Sequence, residues 1–228
     1  MKKELLIFGS NGALGRGVTD CLQSKGYDKV YLFASKHEED KSATTIIRIK
    51  TEDLSVEANV EKAFKNLYPS KDTVYFLFST IGGFAGGKKV WETPVDELDR
   101  MMNMNFKTSF LIAKHFSLLV KESHSGSLFF TAAYIGLSPE AGKAVYGASK
   151  AALIHLVKTL AEEGKEIKMS VNAVAPLIID TPANRSWMKN ADYSTWLKPS
   201  EVGELIHSVF NNYNFITGNI FTLKEKLL

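Results

Sequence analysis

Short runs of consecutive apolar residues alternate along this chain with longer segments whose apolar residues recur every three or four positions. A short continuous apolar run is typical of a strand buried on both faces of a parallel sheet, and the longer spacing is typical of an amphipathic helix. The pattern predicts strands at 5–8, 30–33, 45–49, 73–78, 127–131, 169–175 and 216–223. Since helical segments separate the strands, we expect an α/β fold in three layers, a doubly wound parallel sheet, with the whole chain 1–228 as one domain.

The longest predicted helix, 95–120, carries apolar residues on more than one face. That breadth predicts burial against both the sheet and a second subunit, so we expect a homodimer or a tetramer; burial in one large core is the alternative. Asn105 lies among these apolar positions. Because a buried amide needs hydrogen-bond partners, Asn105 is either a core residue that bends the helix or a site residue that positions a water molecule.

Composition narrows the class of protein. The chain has 228 residues, 45% of them hydrophobic, and a net charge of +3, which is too small a surplus for a nucleic-acid binder. Its one cysteine, Cys21, rules out an internal disulfide, and no apolar run reaches the ~18–20 residues of a membrane span. The start of the chain lacks the features of a signal peptide, so we expect a soluble, cytoplasmic protein. The five histidines show no ligand spacing, and no metal site is expected.

A glycine-rich turn follows the first strand and precedes the first predicted helix, which ends near Gly26. Glycines permit close approach of the backbone to a ligand, and a helix N-terminus offers free N–H groups to phosphates. The order strand, turn and helix therefore predicts a dinucleotide site at Gly9, Asn11, Gly12, Ala13, Leu14 and Gly15. The alternative is a tight turn that merely needs glycine.

The second strand lacks the acidic residue that NAD-binding folds usually place about 20 residues after the glycines. The chain has Ala34, Ser35, Lys36 and His37 there, and Arg16 follows the glycine turn. These groups are suited to a 2′-phosphate, so we expect NADPH in preference to NADH. Two alternatives stay open: Lys36 and Arg16 are solvated surface charges, or Glu38 or Glu39 reaches a ribose.

Two loops lie where ligands bind in open α/β sheets. The fourth strand leads into Thr80, Ile81 and a glycine-rich segment, 82–87, in which Phe84 either stacks on a flat ligand or anchors the loop. A longer connection at about 183–197 carries Trp187, Met188, Tyr193 and Trp196. We interpret it as a substrate lid; the alternative is that its tryptophans only fix the loop to the body.

Tyr146 and Lys150 lie one turn apart on the same face of a predicted helix that ends around Gly164. An ammonium within ~4–6 Å of a phenol favours its ionised form and lowers its pKa by ~1–3 units from the usual value near ~10. We therefore expect Lys150 to lower the pKa of Tyr146, which would then exchange a proton with a substrate. A tyrosine and a lysine at this spacing are also common without any such role.

Together these motifs resemble the short-chain dehydrogenase/reductase family over nearly the whole chain, which implies a Rossmann-type fold and an NAD(P)-dependent oxidoreductase. The match rests on the glycine turn, Asp53-Leu54, Thr80-Ile81-Gly82, Asn105, Tyr146 with Lys150, and the segment from Asn172 to Pro176 with Thr181-Pro182. By resemblance, Asp53 and Leu54 contact the adenine, Lys150 contacts the nicotinamide ribose, and Ile179 and Thr181 contact the carboxamide. Asn105 holds a water molecule that links Lys150 to solvent.

Three positions depart from the family pattern. Ala13 replaces the middle glycine, Leu177 replaces the glycine after Pro176, and Ala133 stands where the catalytic serine lies thirteen residues before the tyrosine. Thr131 is the nearest hydroxyl.

In these departures and in the two loops, the sequence resembles the dihydropteridine reductases within the family. That resemblance implies hydride transfer to a quinonoid dihydropteridine. The alternatives are a carbonyl or 3-oxoacyl-thioester reductase in which Thr131 or water replaces the serine, and a nicotinamide-cofactor sensor without turnover.

Overall fold

The protein is described by a computed structural model that covers residues 1–36 and 45–227. Seven parallel strands form one sheet: β1 Lys2–Phe8, β2 Lys29–Ala34, β3 Ile46–Lys50, β4 Thr73–Ser79, β5 Ser125–Thr131, β6 Met169–Pro176 and β7 Ile220–Leu223. The predicted roles of His37, Glu38 and Glu39 fall outside the described residues.

Helices occupy the connections between the strands. They are α1 Ala13–Leu22, α2 Glu57–Phe64, α3 Val95–Met101, α4 Thr108–Lys121, α5 Ala144–Glu163, α6 Pro182–Trp187 and α7 Pro199–Asn211. No helix in these described ranges combines the length and the apolarity that a bilayer crossing requires.

The strand order is β3-β2-β1-β4-β5-β6-β7. Strand β1 lies between β2 and β4, because its Ile7 is in register with both Leu32 of β2 and Phe78 of β4. The strand order therefore runs outward from β1 to β3 on one side and reverses to run from β4 to β7 on the other. In an open parallel sheet such a reversal leaves a crevice at the carboxyl ends of the strands. The expected doubly wound fold is confirmed, and the crevice is where the site is built.

Each strand presents alternate side chains to two apolar layers. On β5, Leu128 and Phe130 belong to the core beneath α2, α4 and α5, whereas Phe129 belongs to the core beneath α1 and α7. All three side chains are almost completely buried. Burial on both faces explains why the strands read as unbroken apolar runs in the sequence.

The predicted helix 95–120 is interrupted, and the interruption falls at the site. Residues Met102–Lys107 form a π-helical turn between α3 and α4. Ser109 donates its hydroxyl to the backbone carbonyl of Asn105 at 2.8 Å, and Thr108 donates to that of Asn103 at 2.9 Å. Isolated π-turns within α-helices occur frequently at functional sites.

Two element boundaries also differ from the prediction. The last strand begins at Ile220 instead of residue 216, because Gly218 adopts a positive φ of 76° and Asn219 bonds to the buried amide of Asn172. The first helix ends at Leu22, four residues before Gly26, which itself has a positive φ of 77°.

Candidate active site

A cavity of about 700 Å³ lies at the carboxyl ends of the first strands of the sheet. Ten of the predicted cofactor residues line it: Gly9, Asn11, Gly12, Ser35, Lys36, Asp53, Leu54, Thr80, Ile81 and Gly82. Residues that the sequence did not single out for this role complete the wall: Ala34, Thr51, Glu52, Ser55, Arg100, Asn103, Met104 and Thr108. Its size falls within the ~300–1,000 Å³ of ordinary ligand pockets.

The glycine turn is shaped by close packing. Gly9 has a positive φ of 81°, and a Cβ there would lie 2.5 Å from Thr80 Oγ1, which donates a hydrogen bond to the Gly9 carbonyl at 3.2 Å. A Cβ on Gly15 would lie 2.0 Å from the same carbonyl. Only glycine fits either position, so Gly9 and Gly15 let the turn fold back onto α1.

Helix α1 begins directly at the turn, with Gly12 as its N-cap and no side chain capping it. The predicted Ala13 and Leu14 form its first turn together with Gly15, and none of these three lines the cavity. The N-terminus of α1 is therefore left open toward a ligand, which suits an anionic group.

At the far end of the cavity, the chain after β2 is fixed by Asn11, whose side-chain amide donates to the backbone carbonyl of Lys36. Lys36 and Ser35 line the cavity as predicted, but Arg16 does not. The second cation in the lining is instead Arg100, which comes from α3 on the opposite wall. Local sequence reasoning missed Arg100 because it lies far along the chain from the glycine turn.

Asp53 is held as an ionised carboxylate. Its Oδ1 accepts a hydrogen bond from the backbone N–H of Ser55 at 2.9 Å, and bonding to Ser55 lowers the pKa of Asp53. The backbone carbonyl of Asp53 accepts from the side chain of Asn59 at 2.9 Å. Asp53 and the buried Leu54 are thus fixed in the cavity wall, beside each other as the sequence predicted.

Helix α5 places Tyr146 and Lys150 one turn apart, as expected; it buries Lys150 almost completely and leaves Tyr146 half-buried. Lys150 is only 4% exposed, and its ammonium donates to the carbonyl of Thr131 at 2.8 Å. Burial lowers the pKa of Lys150 to about 8 and raises the pKa of Tyr146 to about 12. The predicted lowering of the Tyr146 pKa was wrong, because partial burial of the phenol disfavours its ionised form.

Asn105 is fully buried on the π-turn and connects two elements of the site. Its Oδ1 accepts from the N–H of Gly83 at 2.8 Å, and its Nδ2 donates to the carbonyl of Gly83 at 3.1 Å. Nδ2 also contacts Ser149 Oγ at 2.9 Å, and Ser149 donates to the carbonyl of Tyr146 at 2.8 Å. Its burial on the π-turn agrees with the first interpretation of Asn105, and the positioning of a water molecule stays a prediction.

Aromatic rings pack beside the phenol of Tyr146. The ring of Phe84 packs edge-on against Tyr146 with 5.1 Å between centroids, and Trp187 of α6 lies 5.3 Å from Phe84. Trp187 is 66% exposed and Phe84 is 40% exposed. The glycine-rich loop and the predicted lid therefore meet over Tyr146 through an exposed pair of rings.

The residues predicted to contact the carboxamide lie just before the lid, where the chain enters it. Ile179 forms a parallel bridge with Leu197, and Thr181 is the N-cap of α6, accepting from the N–H of Asn184 at 3.2 Å. Pro176 is the last residue of β6. None of these three predicted residues lines the 700 Å³ cavity.

The position of the absent serine is apolar. Ala133 is 6% exposed and follows β5. The hydroxyl of Thr131 is buried and has no hydrogen-bond partner among the described residues.

One group of potential metal ligands exists in the described part of the chain, away from the cavity. Ligand atoms of Glu57, Glu61 and His115 lie within 4.8 Å of one another. Glu57 already forms an ion pair with Lys114. The tertiary structure thus brings together residues whose spacing in the sequence predicted no such cluster. The ammonium of Lys114, however, already pairs with the Glu57 carboxylate.

Comparisons with known proteins agree with this geometry. A family model described as short chain dehydrogenase matches residues 3–192. Dihydropteridine reductase of Dictyostelium discoideum is 28% identical over 90% of this chain and 86% of its own length. Carbonyl reductase family member 4 of Danio rerio is 26% identical over 96% and 95% of the two chains. A solved structure of ElxO with NADP bound superposes with a TM-score of 0.82 at 23% identity, covering 98% of each chain.

Proposed function

This chain belongs to the short-chain dehydrogenase family and is an NAD(P)-dependent oxidoreductase, and we propose that it reduces a small planar substrate, a dihydropteridine. The observation that carries the proposal is the contact of Phe84 with both Tyr146 and Trp187. Exposed rings beside a catalytic phenol provide flat apolar surfaces, which favour a flat heterocycle. The similarity to a dihydropteridine reductase supports the same substrate class.

The site fits a nicotinamide dinucleotide. The glycines at 9 and 82, in the cavity wall, let the backbone pack closely against Thr80 and Asn105, and the uncapped N-terminus of α1 suits a pyrophosphate. Asp53 and Leu54 would hold the adenine, and Lys150 would hold the second ribose. The base of the lid, with Ile179 and Thr181, would receive the carboxamide. When bound, the reduced nicotinamide supplies the hydride.

The chain's own residues handle the proton. With a pKa of about 12, Tyr146 carries its proton at neutral pH and donates it as the substrate is reduced. Lys150, with a pKa of about 8, is largely protonated at pH 7 and keeps a positive charge one turn away. Asn105 fixes the loop that carries Phe84, and a bound planar substrate beneath the lid would displace water from the reacting atoms.

Absence of the serine is consistent with a dihydropteridine. A serine that orients a ketone is not needed when the substrate is an electron-poor conjugated ring, and Ala132 and Ala133 leave an apolar surface there. The second candidate, a carbonyl or 3-oxoacyl-thioester reductase, is favoured by the unpaired hydroxyl of Thr131 and by the carbonyl reductase relative.

NADPH is the cofactor we propose. Lys36 and Arg100 both line the cavity, and Arg100 forms no ion pair within the described ranges. The carboxylate of Glu52, on the same wall, is compensated by Lys62 at 2.8 Å. Two cations in the cavity wall would therefore be available to the 2′-phosphate of NADPH.

The experiment is a pair of titrations followed by a pair of assays. NADPH and NADH are titrated separately, with nicotinamide fluorescence as the signal, into the wild type and a Lys36→Glu variant. We expect tighter binding of NADPH by the wild type and a loss of that preference in the variant. Oxidation of the preferred cofactor is then measured with a quinonoid dihydropteridine and with a panel of ketones. Turnover of ketones alone would reject the dihydropteridine and establish the second candidate.

We also propose a homodimer through α4 and α5. A groove of about 450 Å³ between them is lined by apolar residues, including Leu156 and Leu160, and by the charges of Lys121 and Glu163. Phe110 and Leu118 at its rim are 47% and 55% exposed. An antiparallel second copy would cover these side chains and pair the charges. Light scattering should give twice the chain mass for the wild type and for Phe215→Glu, an exposed control, but a monomer for Leu118→Glu.

A further inference from the structure

The residues that follow β7 run across the outside of the lid. The N–H of Leu177 donates to the carbonyl of Leu223 at 2.7 Å, at the end of that strand. Three residues later, the N–H of Lys226 donates to the carbonyl of Thr195 at 2.8 Å. Thr195 belongs to the 3-10 turn Tyr193–Thr195 within the lid. We call residues 224–226 the strap.

Side chains of the strap contact two further elements near the site. Lys226 forms an ion pair with Glu201 of α7 at 2.9 Å, and its side chain is only 25% exposed. The ammonium of Lys224 lies 5.2 Å from the ring centroid of Tyr134, which directly follows Ala133. The strap therefore joins the lid to α7 and to the loop at the end of β5.

The lid itself is built as a closed unit. It is closed at its base, where Asp180, shortly before the lid, donates its N–H to the carbonyl of Leu197 at 2.8 Å. Inside the lid, Arg185 binds both carboxylate oxygens of Asp180 and lies 4.7 Å over the ring of Tyr193. A segment with joined ends and internal bonds moves as one body about its base. Its position over the catalytic phenol then depends on contacts made from outside.

Besides the almost fully buried Trp196, two contacts attach this body to other elements. Trp187 touches Phe84, whose ring packs against the phenol, and Thr195, close to the base, is held by the strap. Trp187 is 66% exposed, so its ring contact gives limited support. The hydrogen bond and the buried part of Lys226 supply the firmer attachment.

We propose that Lys226 is a positioning residue, which through the strap holds the lid closed over Tyr146. The proposal rests on the proposed function for the identity of the substrate, but the attachment of the lid is testable without any substrate. Loss of the strap should increase the fraction of molecules with an open lid. It should therefore raise KM for the planar substrate more than it lowers kcat, since the proton donor is untouched.

The test compares two shortened chains. One ends at Lys226 and keeps the strap, and the other ends at Lys224 and loses both contacts of Lys226. Trypsin cleavage after Arg185 and Lys189, within the lid, is followed by mass spectrometry at low protease concentration, because cleavage there reports lid opening. Loss of one hydrogen bond and one partly buried ion pair should accelerate cleavage roughly threefold to tenfold in the shorter chain. A third variant, Lys226→Met, keeps the backbone bond and should show a smaller increase.

Equal cleavage rates in the two shortened chains would overturn the proposal. So would an equal KM for the two chains wherever a substrate is turned over. If no substrate of the dihydropteridine class is reduced by the wild type, the proposed function fails, and the cleavage rates still decide whether the strap holds the lid.

Discussion

Asn105 holds Gly83 by both of its backbone groups. The amide oxygen accepts from the glycine N–H at 2.8 Å, and the amide nitrogen donates to the glycine carbonyl at 3.1 Å. These two hydrogen bonds resemble the pair that links residues on adjacent strands. They attach the loop that carries Phe84 to the π-turn. A Cβ at residue 83 would lie 2.2 Å from Met104 Sδ, so a larger residue there would displace the Met104 side chain.

Asn105→Ala should lower the free energy of unfolding by about 2–4 kcal/mol, because it leaves buried donors and acceptors without partners. The matched control is Asn103→Ala, on the same π-turn, whose described hydrogen bond uses only its backbone carbonyl. Urea denaturation of both variants and the wild type is the measurement. Equal losses in the two variants would show that the Asn105 side chain does not anchor the loop.

Gly82→Ala should reduce both stability and turnover. The added Cβ would lie 2.7 Å from Asn105 Oδ1 and 3.1 Å from Lys150 Nζ, so both polar groups would have to shift. We expect a destabilisation of about 1–3 kcal/mol and a loss of activity.

Gly147→Ala serves as the control for that substitution. It lies beside Tyr146 in α5, and its added Cβ meets nothing nearer than 3.5 Å. Replacing glycine inside a helix should stabilise the protein by roughly 0.5–1 kcal/mol. Thermal unfolding curves of both variants decide the matter, and a Gly82→Ala protein as stable as Gly147→Ala would contradict the packing argument.

Tyr146→Phe should lower kcat by about 10²–10⁴ while binding of the nicotinamide cofactor stays within about twofold of the wild type, if the phenol is the proton donor. Steady-state kinetics and a fluorescence titration give the two numbers. Tyr134→Phe, a nearby phenol outside the proposed chemistry, should be close to the wild type. A Tyr146→Phe enzyme with full activity would mean that another group, or solvent, delivers the proton.

Lys150→Met should change how stability depends on pH. The folded-state pKa of Lys150 is about 8, below its ordinary 10.5, so burial of the cation costs stability at neutral pH, by roughly 3 kcal/mol. Between pH 8 and 10.5 the unfolded chain binds a proton that the folded chain has released, so this cost disappears as pH rises. The wild type should therefore gain stability relative to Lys150→Met across that window. Urea midpoints at pH 7, 9 and 10 check it, and a constant difference would contradict a depressed pKa.

Tyr146 has the opposite linkage. Its folded-state pKa of about 12 lies above the ordinary 10, so its contribution falls as pH rises from 10 to 12. Measurements for Lys150 are best kept at or below pH 10 for that reason.

Much of the fold could be predicted because it depends on local pattern. The strands are buried on both faces, which leaves unbroken apolar runs, and the glycine turn and the Tyr146 helix have their own short spacings. The π-turn could not be predicted in this way, because the backbone N–H of Thr108 bonds to the Asn103 carbonyl five residues earlier, a change of one residue that the apolar spacing does not reveal.

The sequence by itself determined which groups are carried by the same strand, turn or helix: the glycines of the turn, the paired Tyr146 and Lys150, and the apolar core. Only the tertiary structure decided which distant groups meet. It brought Arg100 to the cavity in place of Arg16, set Trp187 against Phe84, and pointed Lys150 at the Thr131 carbonyl. It also reversed the expected shift of the phenol pKa. The physical reason is that spacing along a chain encodes periodicity, whereas burial and contact between elements arise only when those elements pack.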